Sequence, residues 1–342
     1  MQKETSGASA STARQGVARL GIITPVFNEE ANLKRYVETV TDVLLSVPDL
    51  DVRVLLIDDG SVDSSWRQIN ELVAHDPRFS GLRLSRNYGS HLAIAAGFDH
   101  MADDVDAVAI LACDLQDPAE TVLEFVATWR HGADIVWGRR RTRDDEGWRR
   151  HASAMLERLL RWFAMPKRSR FTTGSFLLMD RQVLHCLLQF REQNRVTFAL
   201  VAWTGFEQAV VEYDRQRRVA GVSGWSFGRM LNTAYDVFIG FSPVPAKMMT
   251  SLGIGMFGLS LVALIYLVAT WAFNRVLPGW TGVMVTMTTC FGLLFMMMGM
   301  TAEYLYRIFV ETKNRPLYFI SGRRGGMTKQ TTASSSALHL RR

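Results

Sequence analysis

The stretch Asp106–Glu120, "DAVAILACDLQDPAE", runs from unbroken apolar sequence straight into Asp114, Gln116 and Asp117. A short apolar run bounded by polar residues is the pattern of a strand buried on both faces, as in a parallel sheet. Such a strand presents its last side chains at its C-terminal edge, where open α/β sheets bind ligands. The stretch therefore sets a question for the rest of the chain: does it belong to such a sheet, and what do those oxygens hold?

The neighbouring sequence repeats the pattern. "LGIITPV" (Leu20–Val26), "VRVLLIDD" (Val52–Asp59), "GLRLS" (Gly81–Ser85) and "ADIVWG" (Ala133–Gly138) read as buried strands beside "AVAILACD" (Ala107–Asp114). Between them lie amphipathic stretches with helical spacing, at residues 29–47, 63–75, 91–102 and 119–132. Regular alternation of this kind predicts an α/β domain with a mostly parallel sheet and right-handed crossovers.

The last third changes character. Met248–Phe273 and Thr281–Ala302 carry no charge over 26 and 22 residues, more than the ~20 needed to cross a bilayer core. Trp271, Trp280, Tyr304 and Tyr306 flank them, as at membrane interfaces. The connector "NRVLPGW" is short, so the two spans predict a hairpin. Lys247, Arg307, Lys313, Arg315, Arg323 and Arg324 lie outside the spans, against Arg275 in the connector. By the positive-inside rule both ends, and the α/β domain, face the cytoplasm.

"WSFGRMLNTAYDVFIGFSPVP" (225–245) reads as an interfacial amphipathic helix. The division expected is thus a disordered leader at 1–18, an α/β domain at 19–224, the interfacial helix at 225–245, the hairpin at 246–303, a juxtamembrane segment at 304–320 and a disordered basic tail at 321–342. The leader has no apolar core of the kind a cleavable signal peptide has.

A mean hydropathy of +0.04 and a pI near 9.4 fit this segregation. The net charge of +6 suits nucleic acid, an anionic membrane face or phosphate-bearing substrates and does not choose among them. Three scattered cysteines argue against a disulfide framework and a zinc site. His91, His100 and His151 are isolated and read as packing or surface residues.

Polar clusters stand at the other strand ends. "TPVFNEEANL" (24–33) opens a helix with Asn28, Glu29 and Glu30, where free N–H groups favour acidic residues. In "LLIDDGSVDSS" (55–65), turn and capping chemistry accounts for Gly60, Ser61 and Asp63 but not for both Asp58 and Asp59. Paired carboxylates at a strand end are able to accept from ribose hydroxyls and a base N–H.

Taken together, and with "RNYGSHLAIAAGFDHM", "DLQDPAE", "GSFLLMDR" and "AEYLYRIFVETKNRPLYFI", these motifs resemble the polyprenyl-phosphate glycosyltransferases. That group is a branch of glycosyltransferase family two which includes dolichol-phosphate mannose synthase. The resemblance covers roughly residues 20–320. It implies a GT-A-type nucleotide-sugar-binding domain, a nucleotide-diphosphate sugar as donor, a polyprenyl (undecaprenyl) phosphate as acceptor, and a site in the cell's inner membrane. With this resemblance, nucleic acid is not among the partners expected.

By the same resemblance Asp114 and Gln116 hold Mg²⁺ or Mn²⁺, Pro25, Phe27 and Glu29 line the nucleotide, and Asp59 faces the base. Ala112, Thr172, Leu177 and Gly224 depart from what relatives often carry at those positions. The basic runs "GRRRTR" (138–143) and "RQRR" (215–218) suggest Arg139 and Arg217 as clamps on diphosphate and lipid phosphate.

A phosphate monoester is largely anionic at neutral pH, its second pKa lying near ~6. It attacks without a protein base, so a single-displacement, inverting transfer is expected, with no nucleophilic side chain. A different acceptor within family two, or a catalytically inactive membrane relative, are the competing readings. A homo-oligomer packed through the small residues of "SLGIGMFGLS" is also expected.

Overall fold

A computed structural model describes residues 14, 16–141, 175–190, 192, 197–216, 244–272 and 279–326. The apolar runs form strands β1 (Ala18–Val26), β2 (Leu50–Asp58), β3 (Phe79–Leu84), β4 (Ala107–Ile110) and β5 (Ile135–Arg140). Three more strands, β6 (Leu177–Asp180), β7 (Gln208–Tyr213) and β8 (Ile320–Arg324), complete one sheet in the order β7-β5-β6-β4-β1-β2-β3-β8. β3, β2, β1 and β4 are mutually parallel, and β5 pairs in parallel with β7. β6 runs antiparallel between β4 and β5, and β8 antiparallel along β3. The result is a GT-A-like α/β fold with a mixed, mostly parallel sheet.

Helices α1 (Glu30–Val43), α2 (Ser65–His75) and α4 (Glu120–Arg130) cover one face; α3 (Ser90–Met101), α5 (Arg181–Leu187) and α6 (Thr197–Trp203) cover the other. Successive strand residues point to opposite faces. Accordingly Ile22 and Leu56 pack with Tyr36 and Phe79, while Ile23 and Ile57 pack with Phe98 and Met101. Burial on both faces is why these strands are continuous apolar runs. α3 lies so close to the sheet that a Cβ on Gly97 would stand 2.7 Å from Ile23 Cγ2 and 2.8 Å from Ile57 Cδ1.

Beyond the sheet come α7 (Val244–Ala272) and α8 (Trp280–Thr312). They approach each other where a Cβ on Gly253 would lie 3.2 Å from Met297 Cε. Among the described residues one stretch, Thr289–Thr312, is long and apolar enough to cross a membrane, and none of it is buried by the rest of the protein. α8 has 33 residues, about 50 Å at ~1.5 Å per residue. It therefore continues through the first part of the segment expected to be juxtamembrane. Val244 and Pro245 begin α7, and residues 225–243 of the expected interfacial helix lie outside the described residues.

Two boundaries differ from expectation at the chain ends. Arg14, inside the expected leader, donates to Trp129 O and Ala133 O, each at 3.0 Å, and pairs with Asp134 at 2.9 Å and Asp180 at 3.2 Å. The leader's end is thus fixed by a guanidinium that has found buried acceptors. The basic tail is corrected further, because its first residues are β8. A Ser-Gly-Arg-Arg sequence carries no apolar signal, but an edge strand needs only its backbone groups to pair.

The entry into β8 is tied down twice: Ser85 N donates to Phe319 O at 2.8 Å, and Tyr318 Oη to Asp99 Oδ2 at 2.6 Å. Replacing Tyr318→Phe removes that half-buried bond to a carboxylate. The expected loss is about 1–2 kcal/mol, read as a lower thermal midpoint of the detergent-solubilised protein. An unchanged midpoint would show that the tie does not hold the segment.

Candidate active site

The loops that follow β1 and β2 are sewn together. Asn28 N donates to Ser61 Oγ and Glu29 N to Ser65 Oγ, both at 3.0 Å, and Glu30 N to Asp63 Oδ2 at 3.1 Å. In return Val62 N donates to Asn28 Oδ1 at 3.0 Å and Ser64 N to Glu30 Oε2 at 2.9 Å. Asn28 has φ of 55°, a left-handed conformation that Asn tolerates. Most of the polar residues in the two motifs thus serve the backbone. This leaves Phe27, 44% exposed, and Glu29, which accepts from Asn32 Nδ2 at 2.6 Å, beside the crevice.

The two adjacent aspartates, expected to face the nucleotide, are both tied into the protein. Asp58 is fully buried; it accepts from Ser61 N at 2.9 Å and pairs with Arg83 Nε at 3.0 Å. Asp59, 3% exposed, accepts from Tyr88 N at 2.7 Å and Gly89 N at 2.8 Å, fixing the loop between β3 and α3. Burial pushes its pKa above the ordinary carboxylate value, against the lowering effect of the two N–H donors. Gly60 makes the approach of these loops possible. Its φ is +75°, and a Cβ would meet the Arg86 carbonyl carbon at 2.6 Å.

β4 ends at Ile110, four residues short of the expected end, because the chain turns there. Ala112, Asp114 and Gln116 are half-buried while Leu111, Cys113, Leu115 and Asp117 point inward, with Leu115 left-handed at φ 50°. Asp114 Oδ1 accepts from Gln116 N at 3.2 Å. Burial pushes the Cys113 thiol pKa well up, with the charges of Glu29 and Asp114 adding to it. The strand before the turn is anchored to β1 through Leu111 N donating to Ile23 O at 3.0 Å.

Across from the turn stand two arginines. Arg215 Nη2 donates to Gln116 Oε1 at 2.5 Å, and Gln216 N to Gln116 O at 2.9 Å. Tyr213 Oη donates to Asp117 Oδ1 at 2.5 Å and accepts from Arg140 Nε at 3.3 Å. Asp117 Oδ1 lies 3.8 Å from Arg140 and 4.0 Å from Arg215.

The fold thus gathers Pro25, Phe27, Glu29, Asp114 and Gln116 at one edge, between β1 and β4. It turns Asp58 and Asp59 inward. Arg139 is exposed and, by strand alternation, on the opposite side of β5 from Arg140; Arg217 and Thr172 lie outside the described residues. Asp117 was among the oxygens read at the strand end, Arg140 and Arg215 lie in the two basic runs but ranked behind Arg139 and Arg217, and Tyr213 was not picked from sequence. Strand parity after Trp137 would have favoured Arg140, whereas nothing local marks Arg215 among its neighbours.

For a divalent cation the turn offers hard oxygen donors, the Asp114 carboxylate and the Gln116 carboxamide. Among the described residues no three His, Cys, Asp or Glu side chains cluster to cage a metal. The donor set therefore fits a cation completed by phosphate and water, as Mg²⁺-type sites are.

The profile of Glycosyl transferase family 2 matches residues 21–188. The chain is 33% identical to the uncharacterized glycosyltransferase sll0501 of Synechocystis over 88% of its length and 94% of that protein's. It is 32% identical to the bactoprenol glucosyl transferase of Shigella phage SfX, over 90% of this chain and 100% of the phage protein. Among solved structures it is similar to the mannosyltransferase PcManGT of Pyrobaculum calidifontis, in complex with GDP-Man and Mn²⁺. That match has 16% identity and a TM-score of 0.45, over 92% of this chain and 90% of that one. The chain belongs to glycosyltransferase family 2 and is a glycosyltransferase. Within the family it groups with the polyprenyl-phosphate glycosyltransferases.

If Asp59 is the clasp of the β3–α3 loop, Asp59→Asn leaves one of two buried N–H donors without an acceptor. The expected cost is about 1–3 kcal/mol, measured by chemical denaturation. Undiminished stability with weakened nucleotide binding would return Asp59 to a base-facing role.

Proposed function

We propose that this enzyme transfers one sugar from a nucleotide-diphosphate sugar to a polyprenyl phosphate of the undecaprenyl type, at the cytoplasmic face of the inner membrane. The juxtaposition that carries the reading is the turn Asp114–Asp117 facing Arg140 and Arg215 across the end of the sheet. One side supplies oxygens for a metal-bound diphosphate; the other supplies guanidinium groups for phosphate. Homology to proteins named bactoprenol glucosyl transferase supports the lipid acceptor.

In this reading Phe27 and Glu29 line the nucleotide, with Pro25 beneath them, and Asp58 and Asp59 shape the crevice from behind. Asp114 and Gln116 would hold Mg²⁺ or Mn²⁺, which when bound neutralises charge on the departing diphosphate. Arg140 and Arg215 orient anionic oxygens, as bidentate guanidinium groups do. The acceptor phosphate is already anionic, so positioning takes the place of a general base. With the acceptor phosphate itself as the attacking group, the transfer proposed is a single displacement with inversion.

The sheet supports the membrane arrangement. β7 precedes α7 and β8 follows α8, yet both belong to one sheet. A chain that leaves a sheet, crosses a bilayer and returns to that sheet crosses an even number of times. With Thr289–Thr312 as one crossing, α7 supplies the other, and the hairpin places the α/β domain on the side where Lys247 and Lys313 lie. The catalytic unit then comprises residues 19–224 together with β8.

The test is release of nucleoside diphosphate from a panel of nucleotide sugars by the detergent-solubilised protein, with undecaprenyl phosphate and Mg²⁺ or Mn²⁺. Turnover should require lipid and metal, and Asp114→Ala should lower kcat by about 10²–10³-fold, the usual effect of removing one electrostatic stabiliser. Turnover without lipid, or a trapped glycosyl-enzyme adduct, would overturn the acceptor or the mechanism respectively.

A further inference from the structure

Arg215 stands where a cation belongs. It donates to Gln116 Oε1 at 2.5 Å, and its Nε lies 4.0 Å from Asp117 Oδ1. The backbone repeats the attachment through Gln216 N and Gln116 O at 2.9 Å. Desolvation and the neighbouring Arg140 lower the pKa of Arg215 from the usual arginine value, against the favourable charges of Asp117 and Asp114. Without donor, the two carboxylates Asp114 and Asp117 are thus matched by two guanidinium groups, Arg140 and Arg215.

A divalent ion placed on Gln116 Oε1 would share that oxygen with a guanidinium. Two cations on one oxygen repel, an effect that water moderates because the Arg215 side chain stays exposed. A diphosphate arriving with the ion removes the conflict, because it offers Arg215 better acceptors than a neutral carboxamide.

Resting on the reading that Asp114 and Gln116 hold the metal, we propose that Arg215 is a positioning residue that holds Gln116 as a resident cation and passes to the donor's diphosphate when metal and nucleotide bind together. One hydrogen bond, Arg215 Nη2 to Gln116 Oε1, breaks and bonds to phosphate oxygens form; no proton moves. Metal and nucleotide should consequently bind as a coupled pair, each weak alone.

The experiment is titration of the full-length, detergent-solubilised protein with Mn²⁺, following the free ion by electron paramagnetic resonance, alone and then with UDP or GDP. Wild type should bind Mn²⁺ weakly alone and much more tightly with nucleotide. Arg215→Met should bind Mn²⁺ alone about tenfold more tightly or better, and nucleotide should enhance it less. Arg215→Lys, which keeps the charge, should stay near wild type, and thermal midpoints of both variants verify folding. If Arg215→Met gains no affinity while Asp114→Ala loses the Mn²⁺–nucleotide complex, the metal site stands and the proposal falls. If Asp114→Ala binds that complex like wild type, the metal assignment falls and takes the proposal with it.

Discussion

Parallel hydrogen bonding of β1 to β2 on one side and to β4 on the other constrains everything at the crevice. The chain leaves β1 through α1 toward β2, and leaves β4 through α4 toward β5. In strand order β2 lies on one side of the β4–β1 pair and β5 on the other, so the two exits diverge and open a gap at their common edge. Ligands of doubly wound sheets bind at such a reversal of strand order. The side chains lining this gap are those that β1 and β4 release as they end: Phe27 and Glu29 from one, Asp114 and Gln116 from the other. Keeping the gap open is then a matter for the loops behind it, and Asp58, Asp59, Ser61, Ser65 and Asp63 are consumed in holding them.

Much of this was legible because doubly buried strands cannot hide. β1, β2, β3 and β5 begin and end within a few residues of their apolar runs. β6 escaped notice as a strand because four residues give no period, and β8 because pairing at an edge demands nothing of side chains. At the site, residue type was a poor guide to orientation. Asp58 and Asp59 read as a ligand-facing pair, but a strand end gives adjacent carboxylates different surroundings, and both found N–H or guanidinium partners inside. In "GRRR" the choice of Arg139 over Arg140 was a choice of strand face, which three consecutive arginines leave undetermined. Arg217 lies outside the described residues, so it stands as an expectation alone.

The sheet also joins parts of the chain that the sequence separates widely. Tyr318 and Asp99 are 219 positions apart, and the intervening chain includes both long helices. For a flexible loop the entropic cost of such closure grows only logarithmically with length. The two long helices rigidify part of the intervening path, which lowers the cost further. β8 covers the edge of β3, which would otherwise expose unpaired backbone groups, so the segment after the last helix completes the α/β domain instead of trailing from it.

Two departures from the family pattern acquire a physical meaning here. Ala112 is half-buried in step with Asp114 and Gln116, so an aspartate at 112 would project toward the same side and add a carboxylate to the turn. Its absence leaves one carboxylate and one neutral amide to any cation, which makes the phosphates of the donor the larger part of the coordination shell. Leu177 is fully buried and pairs with Trp137 in the β5–β6 ladder, a position that cannot take a charge without a partner. Among the described residues, positive charge facing the turn comes from Arg140 on β5 and Arg215 after β7. There Asp117 and Tyr213 hold Arg140, and Gln116 and Asp117 hold Arg215. In the function proposed, a cation site poor in carboxylates and an arginine tethered to it would be two sides of one arrangement, with the donor's phosphates supplying the charge that the turn lacks.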